Sequence, residues 1–280
     1  MGGGADVDQA FRWMIEKSGG GDFLIIRASG STGYNDYVNG LGRVHSVETL
    51  LIDSREEAQL QETGDRIREA EAVFIAGGDQ ANYVNFWTNT AVSAALDYLI
   101  NEKKVPLGGT SAGCAILSDY AFDARNGTVI SAEALANPYV SQVSLSKSFI
   151  QISLLKNVIA DQHYTQRNRE GRHVAFLARL NRDFGVSAPL GIGVDERTAV
   201  CLESNGEMIV VGEGKVYFLR SMGPPEVCAP SSSLHWDLAS KAVRVHAVQG
   251  SESGSPAFNI NQWPTTAGVF WSVTQGVLNK

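Results

Sequence analysis

The stretch Pro106-Leu107-Gly108-Gly109-Thr110-Ser111-Ala112-Gly113-Cys114-Ala115 decides the fold. A short apolar run enters a Gly-x-Ser-x-Gly turn, and a helical pattern follows it. In such an elbow, small neighbours permit a sharp, strained turn that lifts a serine hydroxyl above the end of a strand. The next helix offers its N-terminal amides and positive dipole end to a developing oxyanion. The strand-turn-helix context therefore favours Ser111 as a nucleophile over an ordinary glycine-rich turn.

Strand-like and helical segments alternate on the amino side of this turn. Apolar runs of strand length occupy residues 23–26, 46–52 and 72–76, and helical patterns occupy residues 6–18, 55–70 and 80–103. Asp6 is the expected cap of the first helix. The alternation predicts an α/β fold with a mostly parallel sheet flanked by helices.

Short β-type segments separated by Gly, Pro, Asn and Ser follow from about residue 184. They predict extra β-strands at the C-terminus, completing the same sheet or forming a small appendage. No linker composition separates them from the preceding part. We therefore expect one domain over 1–280, with a core of about 1–200 and a β-rich extension of the same domain over about 201–280.

Composition excludes several classes of protein. The 280 residues are 44% hydrophobic and 19% charged, which indicates a globular chain. No apolar run reaches the roughly 18–20 residues that a membrane span needs. A net charge of −7 argues against a general nucleic-acid binder. We expect neither a membrane nor a nucleic acid as partner.

Cysteines and the N-terminal residues carry little signal. Cys114, Cys201 and Cys228 are too few for a disulfide framework and lack metal-ligand spacing, so three separate thiols are favoured over a Cys201–Cys228 pair. The N-terminus shows no signal-peptide pattern and leads almost directly into a helical pattern. We expect a trimmed start, and the compartment stays open between cytoplasmic and secreted.

A second glycine turn, Ala76-Gly77-Gly78-Asp79-Gln80, follows the preceding strand-like run. Loops at the carboxyl ends of neighbouring parallel strands converge on one crevice. Backbone amides at Gly77 and Gly78 are then free to approach an oxyanion, and Gln80 is placed to point its amide into the site.

A serine nucleophile needs a base, and five histidines are available. His163 directly follows the apolar run 158–160 and two polar residues, so we expect it at a strand end, where active-site residues gather. His173 follows on a predicted helix, where we expect it to be solvated. His45, His235 and His246 are expected to be structural or exposed. His163 is the predicted base.

Three arginines lie within the six residues 167–172, shortly after His163: Arg167, Arg169 and Arg172. Guanidinium groups bind carboxylates through paired hydrogen bonds, so this cluster predicts an anion-binding pocket that suits an aspartyl substrate. Asp161 and Glu196 are both candidates for the carboxylate that orients the base. Sequence spacing does not decide between them, and Glu196 is favoured.

Together these segments resemble the cyanophycinase and peptidase E family of serine exopeptidases, in its cyanophycinase-like branch. Four blocks carry the resemblance in the family's order: residues 77–80, 109–113, 161–163 with the three arginines, and 191–196. The resemblance implies a class I glutamine amidotransferase-like, flavodoxin-like fold and a homodimer. It also implies that Gly2-Gly3-Gly4 is the turn after the family's first strand, so we expect an edge strand to be missing upstream.

The resemblance also implies roles for individual residues. Ser111 is the nucleophile, His163 the general base and Glu196 the orienting acid, while amides of Gly78 and Ala112 form the oxyanion hole. Six positions line the substrate pocket: Gln80, Asp161, Gln162, Arg167, Arg169 and Arg172. The implied substrate is a peptide or a cyanophycin-like polymer, cleaved into β-Asp-Arg units, with no metal or organic cofactor. An α-aspartyl dipeptidase and a non-catalytic binding protein are the alternatives.

Overall fold

A computed structural model describes all residues from 1 to 280. The chain forms fifteen strands: β1 (Asp22–Arg27), β2 (Ser46–Leu51), β3 (Ala72–Ile75), β4 (Leu107–Gly109), β5 (Tyr120–Phe122), β6 (Leu145–Lys147), β7 (Val158–Gln162), β8 (Leu190–Val194), β9 (Thr198–Leu202), β10 (Met208–Gly212), β11 (Lys215–Ser221), β12 (Val243–Gln249), β13 (Ser255–Pro256), β14 (Val269–Thr274) and β15 (Val277–Asn279).

Nine α-helices accompany the strands: α1 (Asp8–Lys17), α2 (Tyr34–Leu41), α3 (Arg55–Gln59), α4 (Gln61–Glu69), α5 (Gln80–Trp87), α6 (Ala91–Tyr98), α7 (Ala112–Ala115), α8 (Ser131–Ala136) and α9 (Glu170–Asp183). A π-helical turn (Leu99–Lys103) continues α6, and two short 3-10 helices span Ser153–Leu155 and Thr165–Arg167. No helix is long and apolar enough to cross a bilayer.

A four-stranded parallel sheet in the order β2-β1-β3-β4 carries the first part of the chain. Alternate side chains of β1 enter different cores: Leu24 and Ile26 pack on one face, and Phe23 and Ile25 on the other. Burial on both faces explains the continuous apolar run of this strand. The predicted parallel sheet flanked by helices is confirmed.

An eight-stranded sheet in the order β15-β14-β12-β11-β8-β7-β5-β6 carries the second part. β7 pairs in parallel with β5 and β8, while β11, β12, β14 and β15 extend the sheet through antiparallel pairs. The predicted C-terminal strands are therefore present and widen the sheet that leads to His163. A third, small sheet has the order β13-β10-β9.

Element boundaries differ from the sequence prediction at several points. Helix α1 begins after Val7, because the side chain of Asp6 accepts from Tyr34 and does not cap the helix. The helix predicted over 55–70 is divided at Leu60, whose ψ of 131° is extended. Residues 80–103 likewise break between α5 and α6. All three cysteines are buried and free.

Candidate active site

The backbone at Ser111 forms a strained elbow between β4 and α7. Its φ of 51° and ψ of −115° lie in a region that residues other than glycine rarely adopt. Glycines on both sides are required by close backbone contacts. A Cβ at Gly113 would lie 2.1 Å from the carbonyl oxygen of Ile75, and one at Gly109 would lie 2.8 Å from the carbonyl carbon of Gly113.

The elbow brings Ser111 to His163 and Glu196. The Oγ atom of Ser111 lies 2.8 Å from Nε2 of His163, and Nδ1 of His163 lies 2.5 Å from Oε1 of Glu196. His163 directly follows β7, and Glu196 lies just beyond the end of β8. With Nδ1–H donating to the carboxylate, Nε2 is the acceptor for the serine proton. The arrangement is a hydrogen-bonded nucleophile, base and orienting carboxylate.

Burial lowers the pKa of His163 below its ordinary value. The hydrogen bond to Glu196 opposes this effect, and the positive charges of Arg167 and Arg169 add to it. The side chain of His163 is only 9% exposed. A depressed pKa keeps the imidazole neutral near pH 7, as a general base requires.

The N-terminal segment Met1–Gly4 crosses all three of these residues. The carbonyl of Met1 accepts from the amide of Ser111 at 3.1 Å, and the carbonyl of Gly2 accepts from the amide of His163 at 2.7 Å. Gly3 has a φ of +90°, and a Cβ there would lie 2.3 Å from the imidazole Cε1. Sequence reasoning gave this segment no role in the site, although three consecutive glycines were the available signal.

The turn at Gly77 and Gly78 lies against the nucleophile. A Cβ at Gly77 would lie 3.4 Å from Cβ of Ser111. The hydroxyl of Tyr83 donates to the carbonyl of Gly77 at 3.1 Å. The carbonyl of Gly77 and the N–H of Gly78 belong to the same planar peptide unit and point in opposite directions, so the N–H of Gly78 points away from Tyr83. Neither the amide of Gly78 nor that of Ala112 donates to a backbone acceptor.

Asp161 and Arg172, which were expected to line the substrate pocket, form a buried ion pair with each other, and a contact of either residue with substrate stays a prediction. Nε and Nη2 of Arg172 donate to the two Asp161 oxygens at 2.8 and 2.6 Å, and the side chains are 1% and 2% exposed. The Arg172 guanidinium also lies over the rings of Phe122 and Phe176. Burial raises the pKa of Asp161, but Arg172 and Arg169 outweigh it and lower that pKa overall.

Arg169 and Gln162 belong to the same buried network. Arg169 donates to the backbone carbonyl of Gln162 at 2.8 Å and to its side-chain oxygen. Gln80 is also largely buried, and its amide donates to the carbonyl of Phe122 at 3.4 Å. Arg167 is exposed. Of the three predicted anion-binding arginines, only Arg167 is available to a ligand in this conformation.

His173 is fully buried, so the prediction that it is solvated is wrong. Its Nε2 lies 3.1 Å from the carbonyl of Ile159, and its Nδ1 lies 3.1 Å from the hydroxyl of Tyr164. Burial lowers its pKa. The reason is that α9 packs against β7 and β8 along most of its length, where Gly191 leaves room for the imidazole.

A cavity of about 460 Å³ lies at Ala5, directly after the N-terminal segment Met1–Gly4. It is lined by residues of both charge signs and by two tyrosines: Ala5, Asp6, Asp8, Arg27, Gly33, Tyr34 and Tyr37. Its lining residue Ala5 directly follows Gly4, where a Cβ would lie 3.2 Å from Oε2 of Glu196. Tyr34 donates to Asp6 at 2.7 Å, and Tyr37 donates to Asp8 at 2.6 Å. Sequence reasoning missed these residues.

Burial raises the pKa of Asp6, although the hydrogen bond from Tyr34 opposes the shift. One carboxylate oxygen of Asp6 is buried and has no hydrogen-bond partner. No group of three or more His, Cys, Asp or Glu side chains is arranged to hold a metal ion.

The chain is similar in sequence to known cyanophycinases. The chain is 31% identical over 183 residues to a cyanophycinase of Synechococcus elongatus, covering 65% of this chain and 52% of that protein. It is 30% identical over 171 residues to a cyanophycinase of Trichormus variabilis, covering 61% and 52%. The matches thus span about half the length of these relatives.

A solved structure shares the fold. The crystal structure of a peptidase from an acI-B1 Actinobacterium matches with a TM-score of 0.55 and 22% identity, covering 78% of this chain and 87% of that one. The sequence profile of peptidase family S51 matches residues 4–210, most of the chain and all the candidate site residues described above except Met1 to Gly3. These matches confirm the resemblance: the chain belongs to peptidase family S51.

Proposed function

We propose that this protein is a serine peptidase that hydrolyses aspartyl peptides through a Ser111-His163-Glu196 triad and an acyl-enzyme. The observation that carries the proposal is the continuous hydrogen-bonded chain from Ser111 through His163 to Glu196. Membership of peptidase family S51 supports the same chemistry.

The proposed reaction uses only groups of this chain. Oγ of Ser111 attacks the substrate carbonyl while its proton passes to Nε2 of His163. Glu196 stabilises the resulting imidazolium, and the free amides of Gly78 and Ala112 receive the oxyanion. The imidazolium then protonates the leaving amine. Water, activated by the same imidazole, hydrolyses the acyl-enzyme and restores Ser111.

The proposed substrates are the β-Asp-Arg units of cyanophycin, released by exopeptidase action. Two matching relatives carry the name cyanophycinase. The cavity beside Gly4 offers Arg27 to a carboxylate and Asp6 with Asp8 to a guanidinium, as a dipeptide with both groups requires. The exposed guanidinium of Arg167 lies near the base and provides a second carboxylate contact.

The test is product analysis by mass spectrometry. Purified protein and the Ser111→Ala variant are incubated with insoluble cyanophycin, and with α- and β-linked Asp-Arg. Release of β-Asp-Arg by the wild type alone supports the proposal. Cleavage of only the α-linked dipeptide would instead identify an α-aspartyl dipeptidase. Binding of these peptides without any product would identify a non-catalytic binding protein, and equal turnover by Ser111→Ala would contradict the triad.

Three expectations complete the proposal. The 280 residues form one domain, the active protein is a homodimer, and turnover is unchanged by chelators. A single unfolding transition, a light-scattering mass of twice 30.1 kDa, and equal rates with and without EDTA are the expected results.

A further inference from the structure

The carboxylate of Glu196 lies on a turn and is partly exposed. Glu196 lies between β8 and β9, and its side chain is 31% exposed. The next residue, Arg197, has a left-handed φ of +54°, which residues other than glycine adopt rarely. A long side chain in such a place has many rotamers, and fixing one of them costs conformational freedom. Glu196 therefore needs contacts besides the hydrogen bond to His163 if it is to stay in its orienting position.

Two side chains bind the backbone of Glu196, one on each side. Its N–H donates to Oε1 of Gln166 at 2.9 Å, and its carbonyl accepts from the hydroxyl of Thr198 at 3.0 Å. Thr198 is fully buried at the start of β9, and its hydroxyl oxygen accepts from the amide of Gly214 at 2.8 Å. Gln166 belongs to the short 3-10 helix that begins two residues after His163. The segment that follows the base therefore contacts the backbone of the orienting acid.

Asp195 joins the same two segments from the buried side. It is only 4% exposed, and both of its carboxylate oxygens accept hydrogen bonds. Oδ1 accepts from the amide and from the hydroxyl of Thr165, at 2.9 and 2.7 Å. Oδ2 accepts from the amide of Lys215, at the start of β11, at 3.0 Å. Three donors satisfy this buried carboxylate, which thereby ties the turn after β8 to the 3-10 helix and to β11.

These contacts form one continuous chain of hydrogen bonds with a fixed polarity. The hydroxyl of Thr165 donates its proton to Asp195, so its oxygen is free to accept from Nε2 of Gln166 at 3.2 Å. With Nε2 of Gln166 used in this way, Oε1 is the atom that receives the amide of Glu196, which can only donate. Each member satisfies its neighbour in a single orientation, and the chain ends at the backbone of Glu196.

We propose that Thr165, Gln166 and Asp195 form a clasp that holds the orienting carboxylate against the base. They are positioning residues, because they act through the backbone of Glu196 and none of them bonds to the nucleophile or to the ring of the base. The bond from Nδ1 of His163 to Oε1 of Glu196 joins the two segments that the clasp ties together. The inference rests on the proposed function, since it assigns these three residues to the proposed triad.

Loss of the clasp has a specific effect on the pKa of His163. Burial lowers that pKa, and the positive charges of Arg167 and Arg169 lower it further, whereas the hydrogen bond and the charge of Glu196 raise it. A variant that releases Glu196 weakens the raising effect, so the pKa of His163 falls further. A loss of global stability does not by itself move this pKa in the folded protein. The pKa therefore separates a positioning role from a purely structural one.

The test uses variants that remove one polar group with little change in size. Gln166→Met removes the amide, and Thr165→Val removes the hydroxyl but keeps the backbone bond to the carboxylate. Thr165→Ser restores the hydroxyl, and Gln262→Met is the matched control at an exposed position. The pKa of His163 is measured by NMR titration without substrate, and kcat and KM are measured with β-Asp-Arg. We expect a lower pKa and a kcat reduced roughly 10–100-fold at little-changed KM for Gln166→Met and Thr165→Val only.

The clasp and the proposed function fail in different ways. If the wild type releases no product from any aspartyl peptide, the proposed function fails, but a lower pKa of His163 in Gln166→Met still supports the clasp. A wild-type pKa of His163 in both Gln166→Met and Thr165→Val overturns the clasp, whatever the activity. An equal loss of kcat in Thr165→Ser and Thr165→Val also overturns it, because the hydroxyl is then not the group that matters. If Thr165→Val does not fold, Gln166→Met decides, since its side chain is exposed.

Discussion

The Oγ atom of Ser111 lies 2.8 Å from Nε2 of His163, although the two residues are 52 positions apart. They meet because β4 and β7 end at the same crevice, one in each of the two large sheets. The segment Met1–Gly4 spans the gap between them, and its carbonyls accept from the amides of both residues. The proposed nucleophile and base are therefore positioned by backbone contacts from a third part of the chain.

Replacement of the orienting carboxylate tests the proposed triad more specifically than loss of the serine. Glu196→Gln retains the size of the side chain, but its amide can donate to Nδ1 of His163 and favour the wrong tautomer. We expect kcat to fall by up to about 10⁴-fold with little change in Tm. Glu213→Gln is the matched control, because Glu213 is an exposed partner of Arg197. A kcat within twofold of wild type for Glu196→Gln would exclude this carboxylate as the orienting acid.

The pH profile reports the environment of His163. The base must be neutral, so kcat/KM rises as pH increases through the pKa of His163. Burial lowers that pKa and Arg167 lowers it further, so the midpoint is expected below about 6.5. Arg167→Ala removes a positive charge and is expected to move the midpoint to higher pH. Arg43→Ala, at an exposed position away from the site, is expected to leave it unchanged; a shift to lower pH in Arg167→Ala would contradict the assignment.

Sequence reasoning located Ser111, His163 and Glu196 because each follows an apolar strand, and strand ends are recognisable from local pattern. It was wrong about His173, which is fully buried, because polar residues on a helix are ordinarily solvated. Helix α9 is buried over nearly its whole first half because it packs against α8, β7 and β8, and the local sequence pattern of the helix does not encode this packing.

The cavity at Asp6 was equally inaccessible to sequence reasoning. It depends on how residues 5–8 pack against Tyr34 and Tyr37, which no local periodicity encodes. The division of the strands into separate sheets likewise depends on which edges meet. Pairing of this kind is a tertiary property, whereas the identity of each strand is a local one.

The buried pair of Asp161 and Arg172 is expected to be essential for stability rather than for substrate contact. Asp161→Asn leaves a guanidinium without its carboxylate, and we expect a loss of about 3–5 kcal/mol in the free energy of unfolding. The double variant Asp161→Leu, Arg172→Met removes both charges and is expected to recover most of this loss, because Met can pack against the rings of Phe122 and Phe176. Denaturant unfolding of the three proteins measures both effects. A double variant less stable than Asp161→Asn would contradict this account.

The same pair gives a pH dependence with a defined sign. The folded-state pKa of Asp161 is lowered, so its contribution to stability is complete above the unfolded value of 3.8 and is lost as pH falls through the lower folded value. Wild type is therefore expected to lose stability in this acid range more steeply than Asp161→Asn. Parallel curves of unfolding free energy against pH would show that the carboxylate contributes no such term.

Gly113 is expected to be irreplaceable in the elbow. Its added Cβ would lie 2.1 Å from a backbone oxygen, so Gly113→Ala must displace α7 from β3. We expect the free energy of unfolding, measured with denaturant, to fall by about 3 kcal/mol or more. Gly40→Ala is the control, because this helical glycine has open space around it and alanine is expected to stabilise slightly. Equal stability of the two variants would contradict the close contact.

The cavity beside Gly4 gives the most discriminating prediction about substrate. If Asp6 and Asp8 receive the guanidinium of β-Asp-Arg, Asp8→Asn weakens an ion-paired hydrogen bond and raises KM for that substrate. An uncharged analogue, β-Asp-Leu, makes no such contact, so its KM is expected to change little. We expect the ratio of the two KM values to change by about tenfold, equivalent to about 1.4 kcal/mol in an exposed, solvent-screened setting. Asp36→Asn, in the first turn of α2, is the matched control. A proportional change in both KM values would show that Asp8 acts on the position of α1 and Tyr37 instead, because a structural displacement affects both substrates alike, whereas loss of a charge affects only the cationic one.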